Sequence, residues 1–399
     1  MTGVRKHKLR GRKCANFVMH KSSLFVQSLG NAPSLQIAPA HAMRLALVAA
    51  LVALAASRAE GARGLLQPPD PEPSRRVPTP IVMWHGMGDN CCDPVSMGHL
   101  KSVMESRVPG LYVHNVMVGP NPWVDAMEGF FGDVNHQVEE QCARLLAEPR
   151  LAEGFYAVGF SQGSQFMRAV VQRCGGGERP GDGRLNVKRL VTMGGQHAGV
   201  SDLPGCVAYE GNATLSAYCR AAEAAVRAAA YSFPARSTVV QAQYFRDPRD
   251  LEKYLAKNAF LPDVNNEKTE KNPKYKANLV RLERLVLIRF SEDTIVVPKD
   301  SAWFGSFREG TRVEDDDVVP LRESKLYQED WLGLRELDEP GRLVMFDCPG
   351  QHMAFGDDWF FANVFEPHLL DDGDSARGRS GGLLRRRGAA KSFLAAQAM

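Results

Sequence analysis

The chain contains no Cys-x-x-Cys pair and no His-Glu-x-x-His, so the common zinc frameworks find no support in it. Nor does it hold an apolar run long enough to cross a bilayer. Its longest, Leu45 to Ala56, falls short of the roughly 20 residues a spanning helix needs. Acidic residues are missing from positions 1–42, which carry Arg5, Lys6, Lys8, Arg10, Arg12, Lys13 and Lys21 and so a charge of +7. The stretch from Asp371 to the end adds +3, and because the whole chain sums to +3, residues 43–370 are left at −7. A body of that sign does not suit nucleic acid, and no nucleic-acid partner is expected. No internal repeat is visible, and there is one Asn-x-Ser/Thr sequon, Asn212-Ala-Thr214.

What is present divides into two unusual ends and a globular middle. Met43-Arg44 followed by Leu45–Ala56 and the small residues Ser57 to Ala59 reads as a secretory signal peptide, 43–59. We take Met43 as the working start of translation. The alternatives are that the basic extension, 1–42, is a transit-type sequence or part of a long signal anchor. Residues 60–78 form a Pro/Gly-rich linker, and 371–399, with Gly378-Arg-Ser-Gly-Gly382 and Arg385-Arg-Arg387, read as a disordered tail. With 44% hydrophobic residues over 399 positions the middle can bury a large core. Eight cysteines, seven without the leader, suggest up to three disulfides and one leftover thiol in an oxidising lumen. Asn212 would carry a glycan there.

Apolar, β-branched runs at 80–84, 111–118, 155–160, 190–193, 285–288 and 343–346 alternate with helical stretches. Strands apolar on both faces belong in a buried parallel sheet, so the expected fold is α/β, with helices on both faces of a mostly parallel sheet. The segment from about 199 to 283 breaks the rhythm and contains a helix expected over Thr214–Ala230. We read it as an inserted lobe that forms a lid or acyl pocket, within a single 79–370 domain; a merely structural insertion is the alternative.

One pentapeptide points to chemistry. Gly159-Phe-Ser161-Gln-Gly163 fits the Gly-x-Ser-x-Gly elbow, and it lies between an apolar strand and the amphipathic Gln165–Cys174, the strand–turn–helix setting that the elbow requires. A serine hydroxyl near neutral pH needs a base and a group to orient that base. In this fold class the chain order is serine, acid, histidine. Asp293, in the loop after the fifth run, is the candidate acid, with Glu292 and Asp300 as competitors; His352, after the last run, is the candidate base. His85 and His197 precede the acid and are disfavoured by order. The N–H of Gln162 is one candidate oxyanion donor, and the glycine-flanked loop Trp84-His-Gly-Met-Gly-Asp89 offers the second.

With these residues in place the chain resembles the lysosomal palmitoyl-protein thioesterases, from about Pro78 to Leu370. The motifs are Trp84-His-Gly-Met-Gly-Asp-Asn-Cys-Cys92, Gly159–Gly163 with Arg168–Cys174, Gly194-Gly-Gln-His197, Ala242–Asp247, Trp303-Phe-Gly305, Leu326-Tyr327 and Leu332-Gly-Leu334. The resemblance implies an α/β-hydrolase fold, with Ser161 as nucleophile, Asp293 as acid, His352 as base, and the amides of Met87 and Gln162 as oxyanion hole. It also implies the disulfides Cys91–Cys92, Cys142–Cys174 and Cys206–Cys219. For the adjacent pair two free thiols are the rival reading, and Cys348 is left over as a buried, inert thiol. The implied substrates are S-palmitoylated proteins or peptides and fatty acyl thioesters, in the lysosome or outside the cell, with no cofactor and no metal. Departures from the pattern are Ser164 for a glycine after the elbow, Gln351 for an acid before the histidine, and Ser291-Glu292 where a sequon is usual. The rival functions are a secreted lipase or carboxylesterase on oxygen esters, and a lumenal lipid-binding protein without catalysis.

Overall fold

In β1, Ile81–Trp84, every residue is buried, and neighbours alternate between two separate cores. Val82 and Trp84 point into one and Ile81 and Met83 into the other, the two-residue period of a strand covered on both faces. The computed structural model that shows this describes residues 77–202, 221, 224–233 and 235–371. The expected segments 1–42 and 43–59, nearly all of 60–78 and 372–399, and the positions Cys206, Asn212 and Cys219, lie outside the described residues.

Five further strands join β1: β2 Val113–Asn115, β3 Phe155–Phe160, β4 Val187–Met193, β5 Arg284–Phe290 and β8 Leu343–Cys348. They form one parallel sheet in the order β2-β1-β3-β4-β5-β8. Two short strands, β6 Ser306–Phe307 and β7 Val318–Val319, pair separately and antiparallel. All six apolar runs read from the sequence are strands, though β2 is shorter than its run. It lies at the sheet edge with only β1 to pair with, and after Val116 donates to Met83 O the next buried amide, Val118 N–H, turns to a side chain, Asp125 Oδ1.

The helices α1 Met97–Arg107, α2 Pro122–Glu128, α3 Val134–Leu146 and α4 Gly163–Cys174 clothe the sheet. Their starts are written in the sequence. Asn121, followed by Pro122, caps α2 through its side chain to Trp123 N–H and Val124 N–H, and Asp133 caps α3 in the same way. The core over one face takes Met97, Leu100 and Met104 of α1 with Phe360, Phe361 and Phe365 near the C-terminus; the other takes α3 and α4. This is the α/β-hydrolase arrangement.

Between β4 and β5 lies the segment expected as a lobe. Its residues 224–230 are helical, within the helix expected to end at Ala230. Short helices follow at Ala235–Thr238, Gln241–Tyr244, Leu251–Lys257 and Leu261–Val264. The last helix before β5, α5 at Pro273–Leu279, is bound to α4 through Asn278 Nδ2–H and Gln172 O at 2.8 Å, so this end of the segment packs on α4. Asp371, where the tail was expected to begin, accepts hydrogen bonds from Thr79 Oγ1 and Tyr156 OH.

Candidate active site

Ser161 occupies a left-handed backbone conformation, φ 50°, at the turn between β3 and α4. A non-glycine residue pays roughly 1–3 kcal/mol to stay there, so its surroundings must hold it. They do so through two backbone bonds, Ser161 N–H to Met193 O at 2.8 Å and Ser164 N–H to Ser161 O at 3.0 Å. Glycine is required on both sides. A Cβ on Gly159 would run into the Ser164 backbone, and one on Gly163 into the carbonyls of Trp84 and His85. Ser164 fits because its own Oγ donates to Gly159 O at 2.8 Å and because Gly195, which lies against its Cβ, has no side chain.

Asp293 and His352 converge on this serine from the ends of β5 and β8. His352 Nδ1 is 2.7 Å from Asp293 Oδ2 and Nε2 is 2.9 Å from Ser161 Oγ. A carboxylate only accepts, so Nδ1 carries the proton and Nε2 offers its lone pair to the hydroxyl. Asp293 is itself fixed, its Oδ1 accepting from Ile295 N–H and Val296 N–H, both at 2.9 Å. Both carboxylate competitors are elsewhere: Asp300 is paired with Arg289 at 2.5 Å, and Glu292 is exposed. Gln351 is also exposed, its side chain 3.5 Å from Thr294 Oγ1.

On the β1 side the backbone amides of Met87 and Gln162 donate to no acceptor among the described residues, which leaves them available to an oxyanion. Their loops are tied together. Gln162 Nε2 and Gln241 Nε2 both donate to Gly129 O, at 2.9 and 3.0 Å, and Tyr244 OH donates to Gln162 Oε1 at 3.1 Å. Beneath lies His85, 2% exposed, with Nδ1 2.8 Å from Gly86 O and Nε2 2.9 Å from Asp125 Oδ1. Both partners are acceptors, so this ring holds two protons. Burial works against that charge, but the hydrogen bond and charge of Asp125 outweigh it and raise the His85 pKa above its ordinary value. Asp125 also accepts from Val118 N–H and Cys91 N–H, so one buried carboxylate on α2 ties together the loops that follow β1 and β2. Order along the chain had disfavoured His85 as a base; what the sequence did not disclose was this partner, 40 residues away.

His197 is likewise structural. It stacks on Phe304 at 4.7 Å, its Nε2 is 3.1 Å from Thr192 Oγ1, and its Nδ1 has no partner among the described residues. Burial, and then the charge of Arg168, push its pKa well below the ordinary value, so it is neutral. His136 lies on α3 and His368 near the chain end, away from Ser161. The disulfides Cys91–Cys92 and Cys142–Cys174 are formed, the second joining α3 to α4. Cys348 is a buried free thiol whose pKa burial raises to about 12, which keeps it protonated and unreactive. Among the described residues no group of His, Cys, Asp or Glu could hold a metal ion, and no helix is long and apolar enough to cross a membrane.

Ser161, Met87 and Gln196 are among the residues that line a cavity of about 440 Å³. Its walls come largely from the segment after β4: Val200, Val226, Ala230, Val239 and Phe245, with Ile295 from the acid loop.

Residues 80–352 match the family model described as palmitoyl protein thioesterase. The chain belongs to that family. It is 42% identical to palmitoyl-protein thioesterase 1 of Caenorhabditis elegans over 69% of this chain and 86% of that one. It is 33% identical to palmitoyl-protein thioesterase 3 of Dictyostelium discoideum over 73% and 92%. A protein named lysosomal thioesterase PPT2 homolog, from Drosophila melanogaster, is 28% identical over 68% and 85%. The resemblance read from the motifs is thereby established, and with it thioester hydrolysis as this enzyme's activity. Gln165 and Gln196 gained no role from the sequence, although Gln196 lies inside one of the quoted motifs; two glycines immediately after a strand were the available signal.

Proposed function

We propose that this thioesterase hydrolyses long-chain fatty acyl thioesters, releasing palmitate from cysteine thiols of proteins or peptides, with Ser161, His352 and Asp293 as its triad. The observation that carries the reading is the placement of Ser161 in the lining of a largely apolar cavity, its Oγ 2.9 Å from an imidazole whose other nitrogen is held by a buried carboxylate. His352 Nε2 takes the hydroxyl proton as Ser161 Oγ attacks the thioester carbonyl. The N–H groups of Met87 and Gln162 receive the oxyanion, and collapse expels the thiolate, which takes the proton from His352 Nε2 and departs as the thiol, leaving a palmitoyl-serine beside a neutral imidazole. Water, activated by the same imidazole, releases the acid. A thiol with a pKa near 8.5 needs little help to leave, so oxyanion stabilisation and positioning of the acyl chain carry the discrimination.

The segment 199–283 supplies, in this reading, the acyl wall. Each methylene buried there contributes about 0.8 kcal/mol, roughly fourfold in affinity. Residues 43–59 direct the chain into the secretory route, Asn212 carries a glycan there, and the lysosome or the extracellular space is the destination. Two disulfides suit that oxidising setting. The test is turnover of a palmitoyl thioester against the matched palmitoyl oxygen ester by the purified enzyme. The thioester is expected to be preferred; faster oxygen-ester turnover would make it a lipase or carboxylesterase, and binding of both without turnover would make it a lipid-binding protein.

A further inference from the structure

Gln196, 3% exposed, is the second residue of the site whose side chain reaches Ser161, and its orientation is dictated. The backbone N–H of Gln196 can only donate, and it lies 3.0 Å from Gln165 Oε1. That turns Gln165 Nε2, on the first turn of α4, toward Gln196 Oε1 at 2.8 Å. Gln196 Nε2 is then left facing Gly194 O at 3.1 Å and Ser161 Oγ at 3.3 Å. One backbone donor thus settles both amides. The loops that carry Gln196 and Met87 follow β4 and β1, which flank β3 on opposite sides. The site atom within reach of Gln196 Nε2 is the serine oxygen.

We propose that Gln196 is a catalytic residue for breakdown of the acyl-enzyme, donating to Ser161 Oγ as that atom departs, with Gln165 as its positioning residue. This rests on the reading of Ser161 as nucleophile. In deacylation water adds to the acyl carbonyl carbon and gives a proton to His352 Nε2. The tetrahedral species then breaks its carbon–Oγ bond; the bonding pair goes to Oγ, which takes the proton back from His352 as the fatty acid leaves. The ester Oγ of the acyl-enzyme is a weak acceptor, and the departing Oγ a strong one. The Gln196 bond therefore strengthens as the carbon–Oγ bond breaks, which is the condition for lowering a barrier. In acylation the order is reversed: the bond is already made to the free hydroxyl and weakens as the ester forms, so it gives no acceleration. The asymmetry suits a thioesterase. Its first leaving group is a thiolate, with a thiol pKa near 8.5, and its second is the far more basic serine oxygen.

The test is rapid mixing with a palmitoyl thioester, following thiol release, with intact-protein mass measured in the steady state. For Gln196→Met we expect a burst of thiol at an undiminished first-phase rate, then turnover lowered roughly two- to tenfold, the range for one neutral hydrogen bond. Palmitoyl-Ser161 should accumulate to a larger fraction than in the unsubstituted enzyme. An unchanged acyl-enzyme fraction, or a first phase slowed as much as turnover, overturns the proposal. Gln165→Met keeps the donor but releases its clamp. It should accumulate acyl-enzyme in the same direction and to a smaller extent; should the Gln196 variant not fold, it decides the question by the same outcomes. Full thioester turnover by Ser161→Ala would instead remove the nucleophile reading, and this inference with it.

Discussion

Ser161, Asp293 and His352 are each held by directed hydrogen bonds of fixed partner and length, from Met193 O under the serine to the paired amides under the carboxylate. The cavity wall a few ångströms away is largely Val, Ala and Phe from residues 200–245, side chains whose contacts have no required direction. On the proposed function the difference separates two tasks. Chemistry tolerates displacement poorly, because a misplaced base or donor loses its transition-state interaction. Acyl binding scales with buried area and tolerates change in shape. The regions meet at Gln241 and Tyr244, which belong to the wall and yet donate to Gly129 O and Gln162 Oε1 in the floor.

The comparison is broken most severely by Asp293→Asn. Geometry would survive, but an amide can present a donor to His352 Nδ1 and invert the tautomer. By analogy with other triads kcat should fall about 10⁴-fold with KM little changed, measured on a palmitoyl thioester. An intermediate effect is expected from filling the wall. Ala229→Trp, at an exposed alanine that faces the cavity, should lower kcat/KM for palmitoyl thioester roughly tenfold or more while leaving a butyryl thioester within about twofold, since the lost area is that of the distal methylenes. Equal losses on both substrates would mean that wall and floor are not separable.

The smallest effect concerns pH and the floor alone. The His85 pKa is raised in the folded protein, so folding binds a proton there between its unfolded value near 6.5 and the raised one. Its contribution is complete below about 6.5 and is lost as pH rises through the folded value. The gap in melting temperature between the unsubstituted protein and His85→Asn should therefore be widest at acidic pH and should narrow as pH rises through the raised folded value. For Ala229→Trp the corresponding gap should be flat with pH.

The strands and the meeting of Ser161, Asp293 and His352 were legible because both leave short-range marks: runs of apolar residues on two faces, glycines where a Cβ would meet backbone, and an order of serine, acid and histidine. The sequence left Glu292 and Asp300 as competitors of Asp293; the structure separates them, since it is Asp293 that meets His352 and whose Oδ1 accepts from the amides at 295 and 296. What was not legible depends on partners distant in sequence. Asp125 meets His85 over 40 positions and Gln165 meets Gln196 over 31, and neither spacing belongs to a helix or strand period. The cavity lining was hidden for the same reason: segment 199–283 was recognisable as an interruption, but which of its small side chains face Ser161 depends on how it folds over β3 and β4. Ser164, which looked like a disturbance of the elbow, is harmless because Gly159 O and Gly195 make room for it, a fact that only the packed turn discloses.

On the proposed mechanism Ser161 forms the covalent acyl intermediate. Its most direct test is intact-protein and peptide mass spectrometry after acid quench of the enzyme turning over a palmitoyl thioester. A single palmitoyl adduct mapped to Ser161, absent from Ser161→Ala together with turnover, is expected. Thioester hydrolysis by Ser161→Ala at the unsubstituted rate, or an adduct on another residue, would contradict it.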